Sequence, residues 1–224
     1  MTLPRLLFAL IGLAFLTAAA PVRDWTATTR LAANGAFVTG NPAAPIKLVE
    51  YGSYTCPHCA AFAVESEATL RGSMVRSGSV SVEYRHLIRD QMDLGATILA
   101  RCAGAAGFAR ASAAIFATQG TWMPRYFAWA GDHPEVGALP PLRQARAYAD
   151  AAGLTTLMQR RGLTATRINA CFANRAAVDV VTKMTGDTPI EVPGTPTFYI
   201  NGTIVPGVAS WAPLEPILRA RGAK

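Results

Sequence analysis

Apolar and polar positions along the chain fall into two unlike patterns. In Ile46-Lys47-Leu48-Val49-Glu50-Tyr51 the apolar residues run almost without a break, as in a strand buried on both faces. Residues 79–88, Ser-Val-Ser-Val-Glu-Tyr-Arg-His-Leu-Ile, alternate well enough for a second strand. Between them, Pro57 to about Arg71 has helical spacing, and Gly72 and Gly78 bracket its exit. Strand, helix and strand in that order predict a βαβ unit with parallel strands. Ahead of it, residues 35–40 read as a short strand and 41–45 as a turn. From Gln91 to about Thr185 the sequence becomes Ala-rich with helical period, and helices are expected near 93–106, 108–119, 123–129, 142–152 and 164–184. The strand signal resumes at Thr197-Phe198-Tyr199-Ile200, where Asn201-Gly202 predicts a tight hairpin into Thr203-Ile204-Val205. A last helix is expected at about 211–221. The pattern as a whole is an α/β domain split by a helical insertion.

Composition narrows the setting. With 224 residues and 51% hydrophobic content, one domain, or one domain with a large insertion, has ample material for a core. Residues 1–20 read as a secretory signal, with Arg5 as a minimal charged start, Leu6 to Leu16 as the apolar stretch and Thr17-Ala18-Ala19-Ala20 as a cleavage zone. Pro21 disfavours cutting directly after Ala20, which leaves cleavage one residue earlier or retention as an anchor as the alternatives. The formal charge is +7, but Arg71, Arg76, Arg101, Arg110, Arg143, Arg146, Arg160, Arg161 and Arg167 are scattered through the helices. Nucleic-acid binding calls for a clustered basic stripe with interleaved aromatics, so a solvated basic surface is the better reading. Export implies an oxidising compartment, where disulfides persist.

Candidate chemistry sits between the first strand and its helix, at Cys56-Pro57-His58-Cys59. The first N–H groups of a helix have no intrahelical partner, and the helix dipole adds positive potential there. A thiolate at Cys56 collects both effects, and such positions lower a cysteine from about 8.5 to roughly 3.5–7.5. Pro57 suits the first helical position, and His58 adds a donor or a positive charge beside the sulfur. The open end of a sheet strand is also where α/β folds place their sites. Stabilising the reduced thiolate makes the oxidised pair a stronger oxidant. Other uses of Cys-x-x-Cys fit less well. Structural zinc needs two more ligands, and Cys102, Cys171, His86 and His133 stand in unrelated contexts. An inert disulfide is a further reading, and a Cys-His protease pair is disfavoured because side chains two apart on a helix do not face each other.

These residues resemble the DsbA-like branch of the thioredoxin superfamily, the secreted thiol-disulfide oxidoreductases. The resemblance rests on Val49-Glu50-Tyr51 and Cys56-Pro57-His58-Cys59 at the front, the helical insertion, and Val192-Pro193-Gly194-Thr195-Pro196-Thr197-Phe198 near the end. It implies a thioredoxin fold interrupted by an inserted α-helical domain, with residues 21–90 and 186–224 as the thioredoxin-like part and 91–185 as the insertion. It implies that Cys56 is the exposed nucleophile and Cys59 the buried resolving partner. Pro196 corresponds to the family's cis-proline, with the Thr195 backbone beside the disulfide to receive an extended substrate segment; an ordinary turn is the other reading of Thr195-Pro196. Some relatives carry a bulkier aliphatic residue where Thr195 stands. Glu50 matches a buried acid that exchanges a proton with Cys59; pointing to solvent or pairing with an Arg are its alternatives.

Cys102 and Cys171 remain, and an exported protein rarely leaves two thiols free, so a second, structural disulfide is expected between them, against two separate buried thiols. Trp122, Met123, Tyr126, Phe127 and Trp129 read first as core packing, and as a binding groove wherever they are exposed. The expected function is donation of the Cys56–Cys59 disulfide to folding exported proteins with free thiols, in the periplasm, by a monomer that needs no cofactor or metal beyond that disulfide. A membrane reoxidant of DsbB type follows from the resemblance. A reductase or isomerase using the same atoms is the nearest alternative; isomerases of the superfamily generally carry a separate dimerisation domain, for which residues 21–45 are too few. A copper-handling dithiol module is the alternative from another class.

Overall fold

The computed structural model describes residues 23–224, so the expected signal segment at 1–20 lies outside the described residues. A six-stranded sheet is built from β1 (Thr29–Leu31), β2 (Phe37–Gly40), β3 (Ile46–Gly52), β4 (Val80–His86), β5 (Thr197–Ile200) and β6 (Thr203–Ile204). The strand order is β1-β2-β4-β3-β5-β6. β3 and β4 are parallel, as the βαβ reading requires, and β5 and β6 are antiparallel to their neighbours. Asn201 and Gly202 turn the β5–β6 hairpin with φ of 51° and 84°, the left-handed pair expected of an Asn-Gly turn.

Register decides which side chains share a face. Glu50 pairs with Tyr84 on one side and Phe198 on the other, and Leu48 pairs with Val82 and Ile200. Directly opposed residues point the same way, so these six lie on one face. Helix α1 (Pro57–Ser66) and α9 (Trp211–Ala220) cover it, with Phe62, Leu214 and Leu218 joining Ile46, Leu48, Phe198 and Ile200 in one apolar cluster.

Seven helices fall between β4 and β5: α2 (Gln91–Cys102), α3 (Gly104–Ala117), α4 (Gln119–Asp132), α5 (Pro141–Ala151), α6 (Leu154–Arg160), α7 (Ala165–Ala173) and α8 (Arg175–Gly186). This is the inserted helical block of the expected fold. Its core is continuous with the site, because Leu99, Ile115, Met158 and Ile168 belong to the same buried cluster as Tyr54, Cys56 and Cys59. The α2–α5 contact is close enough to require glycine: a Cβ on Gly95 would lie 2.4 Å from the Ala145 carbonyl oxygen.

Several boundaries differ from the sequence expectation. The helix expected to stop near Arg71 continues from α1 as a π-helical segment, Glu67–Val75, since Gly72 does not take the positive φ that would end it. The exit comes at Gly78, whose φ of +81° and contact with the Trp25 indole exclude a side chain. The long helix expected over 164–184 breaks at Asn174, whose side chain leaves the helical path to accept the Ala177 N–H at 3.0 Å. β1 and α6 are each too short to leave a periodic signal in the sequence.

Cys102, at the end of α2, is bonded to Cys171 on α7, with Cα atoms 5.8 Å apart. The alternative of two separate thiols is thereby overturned. The bond closes a sequence separation of 69, and loop-closure entropy for such a span is worth roughly 4 kcal/mol. Cys102→Ala/Cys171→Ala should therefore lower the unfolding free energy by roughly that amount in a urea titration. A change below about 1 kcal/mol would show that the unfolded chain gains little freedom from losing the bond.

Candidate active site

Cys56 is the residue before α1, with φ −84° and ψ 120°, and Pro57 occupies the first helical position. The geometry is that of a helix N-cap, except that the side chain makes no cap hydrogen bond to the backbone in the usual Ser/Asp manner. Cys56 and Cys59 are not bonded to each other in this structure. The Cys56 thiol is held down to about 5, chiefly by a hydrogen bond from Cys59. The Thr195 side chain and the backbone N–H groups of Cys59 and His58 work in the same direction, against the opposing effect of burial. His58 itself projects to solvent, so its contribution to the sulfur in this structure comes through its backbone.

The two sulfurs are unequal in charge, although both residues are largely covered. Cys59 is fully buried, and desolvation, the hydrogen bond to Cys56 and the nearby Glu50 carboxylate push it far above the ordinary thiol range. Cys56 was expected to be exposed, yet only 3% of its surface is accessible. The reason is the turn before β5: Cys56 Sγ lies 3.2 Å from the Thr195 carbonyl oxygen, to which the thiol donates when protonated. Approach is through an open pocket of about 380 Å³ lined by Cys56, Pro57, His58, Leu87, Arg89, Gly194 and Thr195. The Thr195–Pro196 peptide bond is cis, Thr195 is half-buried and Pro196 buried. Thr197 Oγ1 donates to the Gly194 carbonyl at 2.7 Å and closes the turn.

Glu50 neither reaches solvent nor pairs with an arginine. It is 5% exposed, and its Oε1 has no hydrogen-bond partner. Desolvation first, and the charge of Cys56 second, raise its carboxyl to about 8. It borders a cavity of about 120 Å³ shared with Phe62, Tyr84, Phe108 and Phe116. A carboxylic acid that titrates near neutrality beside a thiol that resists ionisation is suited to exchange a proton with it.

Of the aromatic stripe, Trp122 is buried and donates its indole N–H to the Ile115 carbonyl at 2.8 Å, as a core residue does. Trp129 stacks on His133 and Tyr126 packs edge-on to Tyr148, while Phe127 is 61% exposed. Among the described residues, no group of three or more His, Cys, Asp or Glu converges to hold a metal ion.

Three residues around the Cys56 loop escape the sequence reading: Asp90, Asp93 and Gln119. Asp90 had a legible signal, since an Asp three residues before another acid is a helix-start pattern, and Asp90 indeed caps α2 by accepting the Asp93 N–H at 2.7 Å. Gln119 had none, because its partners are 63 and 65 positions away.

A family model described as thioredoxin matches residues 32–220. Among solved structures, a protein-disulfide isomerase from Novosphingobium aromaticivorans superposes with a TM-score of 0.76 at 30% identity, covering 82% of this chain and 95% of that one. Wolbachia pipientis alpha-DsbA1 superposes with a TM-score of 0.65 at 19% identity over 82% of this chain and 88% of its own, which speaks for the fold alone. A protein-disulfide oxidoreductase homologue of Rickettsia conorii is 27% identical over 170 residues, 74% of this chain and 53% of the relative. The chain thus spans about half the length of the curated relatives it matches. The parallel β3–β4 pair, the Cys-Pro-His-Cys helix start, the helical block before β5 and a family match over residues 32–220 establish that the chain belongs to the thioredoxin family.

Proposed function

We propose that the protein is an exported, periplasmic disulfide donor that oxidises folding client proteins through Cys56. The observation that carries this reading is the inequality of the two sulfurs, with Cys56 held down to about 5 and Cys59 pushed up by burial. Whatever stabilises the reduced form raises the potential of the disulfide, and a low-pKa sulfur is the better leaving group. A client thiolate attacks Cys56 Sγ of the oxidised pair; the Cys56–Cys59 bond breaks and Cys59 leaves with the electron pair. Glu50 supplies the proton that Cys59 takes up. A second client thiolate then attacks the client sulfur of the mixed disulfide and expels Cys56 as thiolate. The client loses two electrons to the pair and its two thiol protons to solvent; Cys59 takes one proton through Glu50, which solvent reprotonates, and Cys56 remains a thiolate. The open pocket beside Thr195 supports an extended client segment laid along that turn. Reoxidation is assigned to a membrane partner of DsbB type, and the protein acts as a monomer without another cofactor.

Thiolate absorbance titration and equilibration with glutathione test the direction of flow. Cys56 should titrate near 5, and the potential should lie well above the roughly −270 mV of a thioredoxin-type reductant. A midpoint near the free-cysteine value of about 8.5, with a potential near that of thioredoxin, would overturn the donor assignment in favour of a reductase.

A further inference from the structure

Most hydrogen-bond partners of the loop from Ser53 to Cys56 lie at the starts of two inserted helices, on α2 with its cap residue Asp90 and on α4. The Asp93 carboxylate, fully buried on α2, accepts from the Ser53 hydroxyl at 2.6 Å, the Tyr54 N–H at 2.8 Å and the Arg89 N–H at 3.1 Å. Asp90 Oδ2, at the cap of the same helix, accepts from the Thr55 hydroxyl at 2.9 Å. Gln119, at the first position of α4, uses one Nε2 group twice, donating to the Tyr54 carbonyl at 2.7 Å and to the Cys56 carbonyl at 3.0 Å. Ser53, Tyr54, Thr55, Cys56 and Gln119 are all buried.

We propose that Asp90, Asp93 and Gln119 form a brace through which the inserted helices position the nucleophile, so that the reactivity of Cys56 depends on the docking of the insertion. The argument is geometric. Four consecutive residues have their polar groups tied to two inserted helices, leaving the peptide before α1 little freedom to turn. Cys56 keeps its sulfur near the first N–H groups of α1 only while its φ and ψ hold, and Gln119 grips the carbonyl on one side of that dihedral pair. Asp93 grips the other side through the Tyr54 N–H and the Ser53 hydroxyl. A buried acceptor or donor that loses its partner costs more than the bond itself contributes, which keeps the brace closed. None of the three residues touches either sulfur; they act through the loop, as positioning residues.

The inference rests on the reading of Cys56 as the nucleophile, and the test separates the two. Gln119→Met keeps the side-chain length and removes both donated bonds. In that variant the Cys56 thiolate titration should move up by about half a unit or more, and the glutathione equilibrium should shift about threefold or more toward a less oxidising pair. Ile115→Val, which loosens the same buried cluster without touching the loop's bonds, should leave both values where they are in the wild type. If Gln119→Met does not fold, Thr55→Val removes the Asp90 bond and should move the titration in the same direction. An unmoved titration in the folded variant, or an equal shift in Ile115→Val, overturns the brace. A wild-type Cys56 that titrates like a free thiol would instead overturn the nucleophile reading itself.

Discussion

Replacing Cys59 by Ser should leave client proteins covalently attached to Cys56. Disulfide exchange at Cys56 remains available in this variant, because the influences of Thr195 and the backbone N–H groups of His58 and Cys59 survive the substitution. What disappears is the fast reversal by attack of Cys59 on the mixed disulfide, which leaves only bimolecular attack by a second thiolate to free Cys56. The Cys59 attack is intramolecular, with the two thiols already in hydrogen-bond contact, and proximity of this kind is worth many orders of magnitude over a bimolecular thiol at ordinary concentration. Release should slow by about a hundredfold or more, so adducts should persist on non-reducing gels and vanish with dithiothreitol. Cys56→Ser should show no adducts and no exchange, since Cys59 is fully buried and its thiol is held far above the range in which it ionises. Adducts on Cys59 in the Cys56→Ser variant, or none on Cys56 in Cys59→Ser, would reverse the roles.

Glu50→Gln should change both the pH dependence of stability and the rate at which Cys59 acts. The carboxyl stands at about 8 in the folded reduced protein against an ordinary 4.5, first because it is desolvated and second because Cys56 is negative. The folded state therefore keeps a proton that the unfolded chain gives up. The corresponding stability is fully present below about 4.5 and is lost as pH rises through that value to about 8, where both states are ionised. Each unit in that window is worth about 1.4 kcal/mol at most, so between pH 5 and pH 8 the wild type should fall by a few kcal/mol relative to the Gln variant, the opposing gain from Cys56 being common to both. Urea titrations of the two reduced proteins at both values check it, and parallel curves would show that Glu50 does not carry the shift. Kinetically, Cys59 loses its neighbouring proton acceptor in the variant. Its attack on a mixed disulfide should slow by about a hundredfold, the lower end of what a positioned acid-base group contributes, and its rate should no longer step near pH 8.

The elements that carry a long periodic signal were legible without coordinates. The run at 46–51 and the alternation at 79–88 became the parallel pair β3–β4, and the Asn-Gly dipeptide became the hairpin turn. Local backbone chemistry fixes such features, since burial on both faces selects an unbroken apolar run and a left-handed pair of residues selects Asn-Gly. Elements of three or seven residues, such as β1 and α6, leave no comparable trace, and their existence depends on what they pack against. The break at Asn174 and the run through Gly72 failed for related reasons. Asn can cap or continue a helix, and a glycine ends one only where the chain needs a positive φ, as at Gly78 and not at Gly72.

For the site, the sequence by itself singled out the candidate pair, because Cys-Pro-His-Cys at a strand-to-helix junction places a sulfur at unpaired N–H groups whatever the rest of the chain does. It also singled out Glu50, Thr195-Pro196 and the Cys102–Cys171 pair as candidates. Only the tertiary structure decided their surroundings. The depth of Cys56 comes from a turn 139 positions away, and the grip on its loop from Asp93 and Gln119, which no spacing rule connects to it. Desolvation of Glu50 and Cys59 likewise belongs to no single segment: it arises where β3, α1 and α3 close around the two groups and exclude water. Charge, burial and hydrogen bonding act through space, so they appear only once the chain has brought distant residues together.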